Sequence, residues 1–248
     1  MLTEERFAVI RSLLADDSVV KIQAIVEATQ ASESTVRRDL SQLEDLGELV
    51  RVHGGAKRVF SVDLEPSVSE KRLQFQSEKL AIGRYAASLI KDGEFVFIDA
   101  GTTTLAMVPF IQAENVTIVT NGLELAAQLA DSKFTVILLG GLIKPNTRAM
   151  IGSDTQKQLR QYRFSRAFMG TNGINARFGF TTPDTQEAHV KESAIGQASR
   201  VYVLADNSKF DKVSFCQFAD FDKVMVVTNQ LSKSLHEKFA PLLDLEEV

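Results

Sequence analysis

Apolar positions along the chain follow two rhythms. In residues 1–60, Phe7, Ile10, Leu13 and Leu14 recur at helical spacing behind Thr3, a candidate N-cap with Glu4 and Glu5 in the first turn. Ile22, Ile25 and Val26 mark a second, shorter helix. Val36, Leu40, Leu43 and Leu46 form an inward face from about Ser34 to Leu46, and Gly47 reads as the stop. Alternating residues then flank Gly54-Gly55, which predicts two strands and a tight turn. Three helices and a β-hairpin in about 60 residues outline a winged helix-turn-helix.

Beyond about residue 76 the rhythm changes to short apolar runs separated by helical stretches. The runs predict strands at 95–99, 116–120, 135–139, 166–170, 201–205 and 224–228. Helices are expected at 79–91, 105–112, 123–131, 154–161 and 185–199. Apolar strands alternating with helices predict a mostly parallel sheet covered on both faces, an α/β fold. Residues 61–78 begin polar and unperiodic, with Pro66, and read as a linker entering a helix near Gln76. The predicted organisation is a DNA-binding domain at 1–60, a linker at 61–74 and a larger α/β domain at 75–248.

Composition narrows the function classes. The 248 residues are 44% apolar and 24% charged, enough for ordinary cores. No apolar run approaches the roughly 18 residues of a membrane span, and the opening MLTEERF is acidic where a secretory signal would be basic. A cytoplasmic protein without membrane contact is expected. Cys216 is the sole cysteine, so neither an intrachain disulfide nor a cysteine-built metal site is expected, and no cofactor is called for. With 28 Lys+Arg against 32 Asp+Glu, no global basic signature marks a nucleic-acid binder.

Local chemistry does. Ser32 or Ser34 can cap the third helix, whose first two turns carry Ser34, Thr35, Arg37 and Arg38. A recognition helix presents such residues to base edges and phosphates, arginine forking onto guanine while Ser and Thr more often hold phosphate. Arg51, His53, Lys57 and Arg58 cluster on the Gly54-Gly55 hairpin with no acid among residues 51–58. An Arg-Arg pair alone is usually a solvated face. The ordered conjunction of capped helix, Arg-Arg, helix stop and basic hairpin points instead to double-stranded DNA.

In the second half, an apolar strand ends in Asp99-Ala-Gly101-Thr102-Thr103-Thr104. Glycine and hydroxyls ahead of a helix suit a phosphate, although the P-loop lysine and dinucleotide glycine spacing are missing. Further polar residues fall at strand ends, where open α/β sheets bind ligands. They are Asn121, Gly140-Gly141, Asn172 and Lys209, with Lys144 and Arg148 as additional cations. Asp184, Glu187 and Lys191 share one side of a helix. Asn-Gly pairs are by themselves ordinary turns. Cys216 reads as a packed residue.

These motifs carry a resemblance. Arg6-x-x-x-Ile10, Ser34-Thr-Val-Arg-Arg-Asp-Leu40, Leu43, Gly47 and Arg51-Val-His-Gly-Gly-Ala56 resemble the N-terminal signature of DeoR-type bacterial transcriptional regulators. Asp99-x-Gly-Thr-Thr-Thr104, Thr120-Asn121, Gly140-Gly141, Gly170-x-x-Gly-Ile174 and Leu204-Ala-Asp-x-Ser-Lys-Phe210 resemble that family's sugar-phosphate-sensing domain. The resemblance implies a sensor fold related to ribose-5-phosphate isomerase. Within the family, Val20-Lys-Ile-Gln23, the Leu-Gly-Gly segment and Gly179-Phe-Thr-Thr-Pro-Asp184 look most like fructose-operon repressors of Gram-positive bacteria. It therefore implies a repressor released from operator DNA by a phosphorylated sugar, fructose 1-phosphate. Pairing two reading heads on half-sites predicts a homo-oligomer, a dimer or tetramer. The alternative is a sugar-phosphate isomerase or related enzyme with an appended DNA-binding module, using Asp184, Glu187 or Asp206 as base. The DNA-binding module makes that reading redundant, and no catalytic or metal-binding residue is assigned.

Overall fold

The computed structural model describes residues 1–16, 19–46, 48–52, 54–58 and 67–248, with only the backbone at 15, 16, 58 and 223. Gly47, His53 and the first part of the expected linker lie outside the described residues. The chain divides into two compact units, Met1–Asp63 and Leu64–Val248.

The first unit contains α1 (Thr3–Asp16), β1 (Val19–Lys21), α2 (Ile22–Thr29), α3 (Glu33–Asp45), β2 (Leu49–Val52) and β3 (Gly55–Arg58). Phe7, Ile10, Leu14, Ile25, Val36, Leu40 and Leu43 meet in one core with Leu49 and Ala56. Burial of each large apolar side chain contributes about 1.5–3 kcal/mol. Thr3 is the first helical residue rather than the N-cap. The start is closed by Glu5, whose Oε2 accepts from the Leu2 amide at 2.7 Å. The sheet has three strands in the order β1-β3-β2, one more than the hairpin expected. Three residues are too short for a strand pattern, and β1 exists only because β3, far along the chain, pairs with it from Val19↔Lys57 to Lys21↔Gly55.

The second unit runs α4 (Val68–Leu73), α5 (Gln76–Ser88), β4 (Phe95–Ile98), α6 (Thr102–Leu105), β5 (Thr117–Thr120), α7 (Leu123–Leu129) and β6 (Thr135–Leu138). It continues β7 (Leu142–Lys144), β8 (Ala149–Ile151), α8 (Ser153–Leu159), β9 (Phe164–Gly170), β10 (Gly173–Asn175), β11 (Gly179–Thr182) and α9 (Thr185–Gln197). It ends with β12 (Ala198–Leu204), β13 (Cys216–Ala219), β14 (Val224–Thr228), α10 (Lys233–Phe239) and β15 (Asp244–Glu247). Seven parallel strands form the main sheet in the order β15-β14-β12-β9-β4-β5-β6. Alternate residues serve opposite faces. Phe97, Ala167, Val203 and Val226 join the core under α8, α9 and α10. Val96, Ile98, Phe168, Tyr202 and Val227 join the other, under α5 and α7.

Three expectations change. The helix expected at 105–112 is replaced by the single turn of α6 and a 3₁₀ turn at Val108–Phe110. Pro109 would sit inside the expected helix without a donor and against the preceding turn. The stretch expected as linker to residue 74 carries α4, whose Ser67 and Glu70 form a reciprocal capping box. The edge strand β15 is acidic, so no apolar run announced it.

The order of strands creates a crevice. From β4 the chain moves outward through β5 and β6, then returns to β9 on the other side of β4. Loops leaving the carboxyl ends of β4 and β9 diverge there, the place where open α/β sheets bind ligands.

Candidate functional site

In the first unit, α3 presents a polar face anchored from behind by the fully buried Val36 and Leu43. Ser32 is the N-cap, its Oγ accepting from the Thr35 amide at 3.2 Å. The same hydroxyl pairs with Ser34 Oγ at 2.9 Å and Thr35 Oγ1 at 2.8 Å, so three hydroxyls gather at the helix start. Ser34, Arg37 and Arg38 are exposed. Arg37 holds Glu33 at 2.6 Å one turn earlier, whereas the Arg38 guanidinium makes no hydrogen bond or ion pair among the described residues.

The neighbouring charges of the same motif are occupied internally. Asp39 is buried and receives a two-pronged bond from Arg6, Nε to Oδ2 at 2.6 Å and Nη2 to Oδ1 at 2.9 Å, which ties α1 to α3. Arg11 grips Glu48 the same way at 2.6 and 2.9 Å. These pairs hold the two arginines' Nε–H and carboxylate partners in the fold.

Arg51 draws β2 against α3, donating through Nη1 to Ser41 Oγ at 2.7 Å while its amide donates to Glu44 Oε1 at 2.8 Å. Lys57 is exposed on β3, opposite Val19 on one side and Val50 on the other. Gly54 has φ +84°, and a Cβ on Gly55 would lie 2.1 Å from the Val20 carbonyl oxygen. Both glycines thus have a backbone reason to be there, apart from any role at DNA.

In the second unit a cleft of about 650 Å³, including its open mouth, lies at the β4/β9 crevice. Of the residues singled out in the sequence, Gly101, Thr102, Thr103, Asn172, Glu187, Lys191 and Lys209 line it. Gly101 is extended, with φ 179°, and opens the one-turn helix α6. Asp99 lies behind the wall, buried, accepting from the Gly170 amide at 3.1 Å and paired with Lys191. Lys191 also donates to the Gly170 carbonyl at 2.9 Å. Together they bolt β4, β9 and α9 across the crevice.

Glu187 receives the Thr147 hydroxyl at 2.5 Å and the Thr182 hydroxyl at 3.4 Å, with Lys144 at 3.4 Å. Other singled-out residues stand outside this lining. Thr104 turns its hydroxyl to the carbonyls of Asp99 and Gly101 at 2.7 and 2.9 Å. Asn121 is buried and accepts from the Ala100 amide at 2.8 Å, which fixes the loop from behind. Gly140 joins Gln158 and Thr155, and Gly141 packs on Thr155. Asp184 caps α9 through the Gln186 and Glu187 amides. Arg148 pairs with Glu124 in a smaller recess that shares Ala100, Gly101, Thr102 and Thr147 with the cleft.

Sequence reasoning missed the lining residues on the opposite wall, Val68, Lys71 and Gln74 from α4 and its exit and Lys79 from α5, and also Thr147 and Thr171. Lys79 is buried in phase with Ile82, Gly83 and Ala86. A lysine on the apolar stripe of a helix was the available signal. Burial lowers the Lys79 ammonium below the usual lysine range, opposed by Asp206, while Lys209 and Lys71 lower it further by repulsion. Burial likewise lowers Lys209, again opposed by Asp206. Asp206 is buried, and its Oδ2 has no hydrogen-bond partner among the described residues. A cluster of desolvated ammoniums beside hydroxyls and amides suits an anion that also carries hydroxyl groups.

No helix among the described residues is long and apolar enough to cross a membrane. Residues 6–62 match the DeoR-like helix-turn-helix domain, and residues 74–230 match the DeoR C terminal sensor domain. The uncharacterized HTH-type transcriptional regulator FruR of Bacillus subtilis is 43% identical over 240 residues, 96% of each chain. The HTH-type transcriptional repressor GlcR of the same organism is 34% identical over 98% of this chain and 94% of its own. Among solved structures, ribose 5-phosphate isomerase A of Methanocaldococcus jannaschii is 16% identical over 55% of each chain, with a TM-score of 0.41. With both domain models matched and a regulator 43% identical along nearly its whole length, the chain belongs to the DeoR family of transcriptional regulators.

Proposed function

We propose that this regulator is a repressor that holds operator DNA through α3 and the β2–β3 hairpin and is released by a phosphorylated sugar bound in the β4/β9 cleft. The observation that carries the reading is the convergence of Lys71, Lys79, Lys191 and Lys209 with Thr102, Thr103, Asn172 and Glu187 on one cleft. The Lys71, Lys79 and Lys209 ammoniums answer the phosphate, while Lys191 stays with Asp99 behind them, and hydroxyl, amide and carboxylate groups answer the sugar hydroxyls. Fructose 1-phosphate is the first candidate, on the sequence likeness to fructose-operon repressors and the name of the FruR relative. The protein acts as a homo-oligomer in the cytoplasm, two reading heads meeting two half-sites.

Disposition of the carboxylates supports a sensor over an isomerase. Asp184 caps a helix, Asp206 is buried with Ser208 on its Oδ1, and both Glu187 oxygens are engaged. Calorimetry of the protein with fructose 1-phosphate, other hexose and pentose phosphates and unphosphorylated fructose tests the reading. Fructose 1-phosphate should bind, and fructose should bind far more weakly. Bound operator duplex should weaken fructose 1-phosphate by the factor, typically about 5–150-fold, by which the sugar weakens DNA. Equal sugar-phosphate affinity for free and DNA-bound protein overturns the repressor model. Turnover of any of these esters would revive the enzyme.

A further inference from the structure

Beside the main cleft lies a second recess of about 270 Å³, including its open mouth. It shares Ala100, Gly101, Thr102 and Thr147 with the cleft, so one molecule can lie across the Gly101–Thr102 step and reach into both. The two differ in charge. Lys79 and Lys209 belong to the cleft, and no lysine lines the recess among the described residues. The recess holds instead an ion pair, Arg148 Nη1 with Glu124 Oε1.

Both partners of that pair are set by the backbone. Glu124 stands in the first turn of α7. The Arg148 amide donates to the Lys144 carbonyl at 2.8 Å, and the Arg148 carbonyl accepts from the Leu123 amide at 3.1 Å. These bonds hold Arg148 at φ 53°, a left-handed conformation that an arginine adopts at a cost. Strain of this kind gathers at ligand sites.

Only one oxygen of Glu124 is satisfied. Arg148 takes Oε1, while Oε2 is buried and has no hydrogen-bond partner among the described residues. The Arg72 guanidinium lies 3.8 Å from Oε2, within reach of an ion pair but too far for a hydrogen bond. A buried carboxylate oxygen without a donor is costly, and an ionised carboxylate can only accept. A sugar hydroxyl supplies the donor. A phosphate in the same place brings further acceptor oxygens and a like charge, whose repulsion is strong away from bulk water.

We propose that Glu124 reads the end of the effector remote from its phosphate: it accepts a hydroxyl there and turns away a second phosphate, so that sugar monophosphates are selected over bisphosphates. This rests on the sensor reading given above and adds to it a residue that sets specificity.

Calorimetry on the full-length protein tests it with two matched pairs, fructose 1-phosphate against fructose 1,6-bisphosphate and glucose 1-phosphate against glucose 1,6-bisphosphate. In the pair that binds better, wild type should favour the monophosphate at least about 10-fold. Glu124→Gln keeps the shape and removes the charge, and it should narrow that ratio at least about fivefold. Glu124→Leu removes the acceptor and should weaken the monophosphate at least about fivefold. If neither variant folds, the wild-type ratio decides alone. Absence of binding by all four esters fails the sensor reading and this inference with it. A monophosphate that binds no more tightly than its bisphosphate, or a ratio that Glu124→Gln leaves unchanged, overturns the inference and leaves the sensor reading standing.

Discussion

The two units place their cations in opposite settings. On α3, Arg37 and Arg38 stand in solvent, and Arg37 already has Glu33 as a neighbour. In the sensor cleft, Lys79 and Lys191 are buried, and burial lowers the Lys79 and Lys209 ammoniums below the usual lysine range. Exposed charges on a helix suit a long polyanion whose counterions are displaced, an interaction that weakens steeply with salt. Desolvated ammoniums suit a single small anion, since only a closely seated charge compensates their burial, and salt screens such a contact far less. Each unit also contains a buried ion pair that serves structure. Arg6–Asp39 and Asp99–Lys191 join elements distant in sequence.

The sharpest test of this contrast removes one half of a structural pair. Asp99→Ala leaves Lys191 buried without its counterion and should lower the stability of the sensor unit by about 3–5 kcal/mol. Urea unfolding followed in that unit measures it, and a loss under 1 kcal/mol would mean that the pair is not the bolt. Next in size, Lys79→Met removes a ligand-facing ammonium and should cost about 1.5–3 kcal/mol of sugar-phosphate affinity by calorimetry. Its measured affinity should depend only weakly on salt.

Arg38→Ala should cost about 1–3 kcal/mol of operator binding if the guanidinium reads a base. Fluorescence anisotropy across a salt series separates the cases: equal losses on operator and random duplex would make Arg38 a phosphate contact. Ser32→Ala deletes the α3 cap and should lower the stability of the first unit by about 1 kcal/mol. The smallest effect is expected from pH. Sugar-phosphate affinity should rise as the ester's second ionisation completes above about pH 6. It should then decline in alkali, because a bound anion raises the lowered Lys79 and Lys209 values and binding takes up protons there. Affinity still climbing through the lysine range would contradict the assignment of both ammoniums.

Legibility in the sequence followed how local each cause is. The six strands read from apolar runs occupy six adjacent places in the seven-stranded sheet, since burial on both faces demands continuous apolar sequence. By contrast, β1 and β15 were invisible, because a remote partner makes the first a strand and the second is an acidic edge. Within the cleft, Gly101, Thr102, Thr103, Asn172, Glu187, Lys191 and Lys209 come together as a set. Asn121, Gly140 and Gly141 had the same sequence signal but fix turns, because a polar residue at a strand end serves the backbone as readily as a ligand. Lys71 and Lys79 were hidden in segments read as linker and amphipathic cover, and only the tertiary fold brings them to the crevice.

The pairing of β4 with β9 sets Phe97 beside Ala167 and Ile98 beside Phe168. The centre of the sensor sheet therefore joins strands roughly 70 residues apart, a contact of high sequence separation that slows folding. The first unit closes its own sheet by Arg58, when Leu49 meets it across the hairpin. On a ribosome adding about 5–20 residues per second, the interval between Arg58 and Gly170 spans about 6–22 seconds. During it the nascent chain has every strand of its DNA-binding unit while β4 still lacks its inner neighbour. The strands of the DNA-reading head are therefore all synthesised long before the central strand pair of the sensor sheet can form.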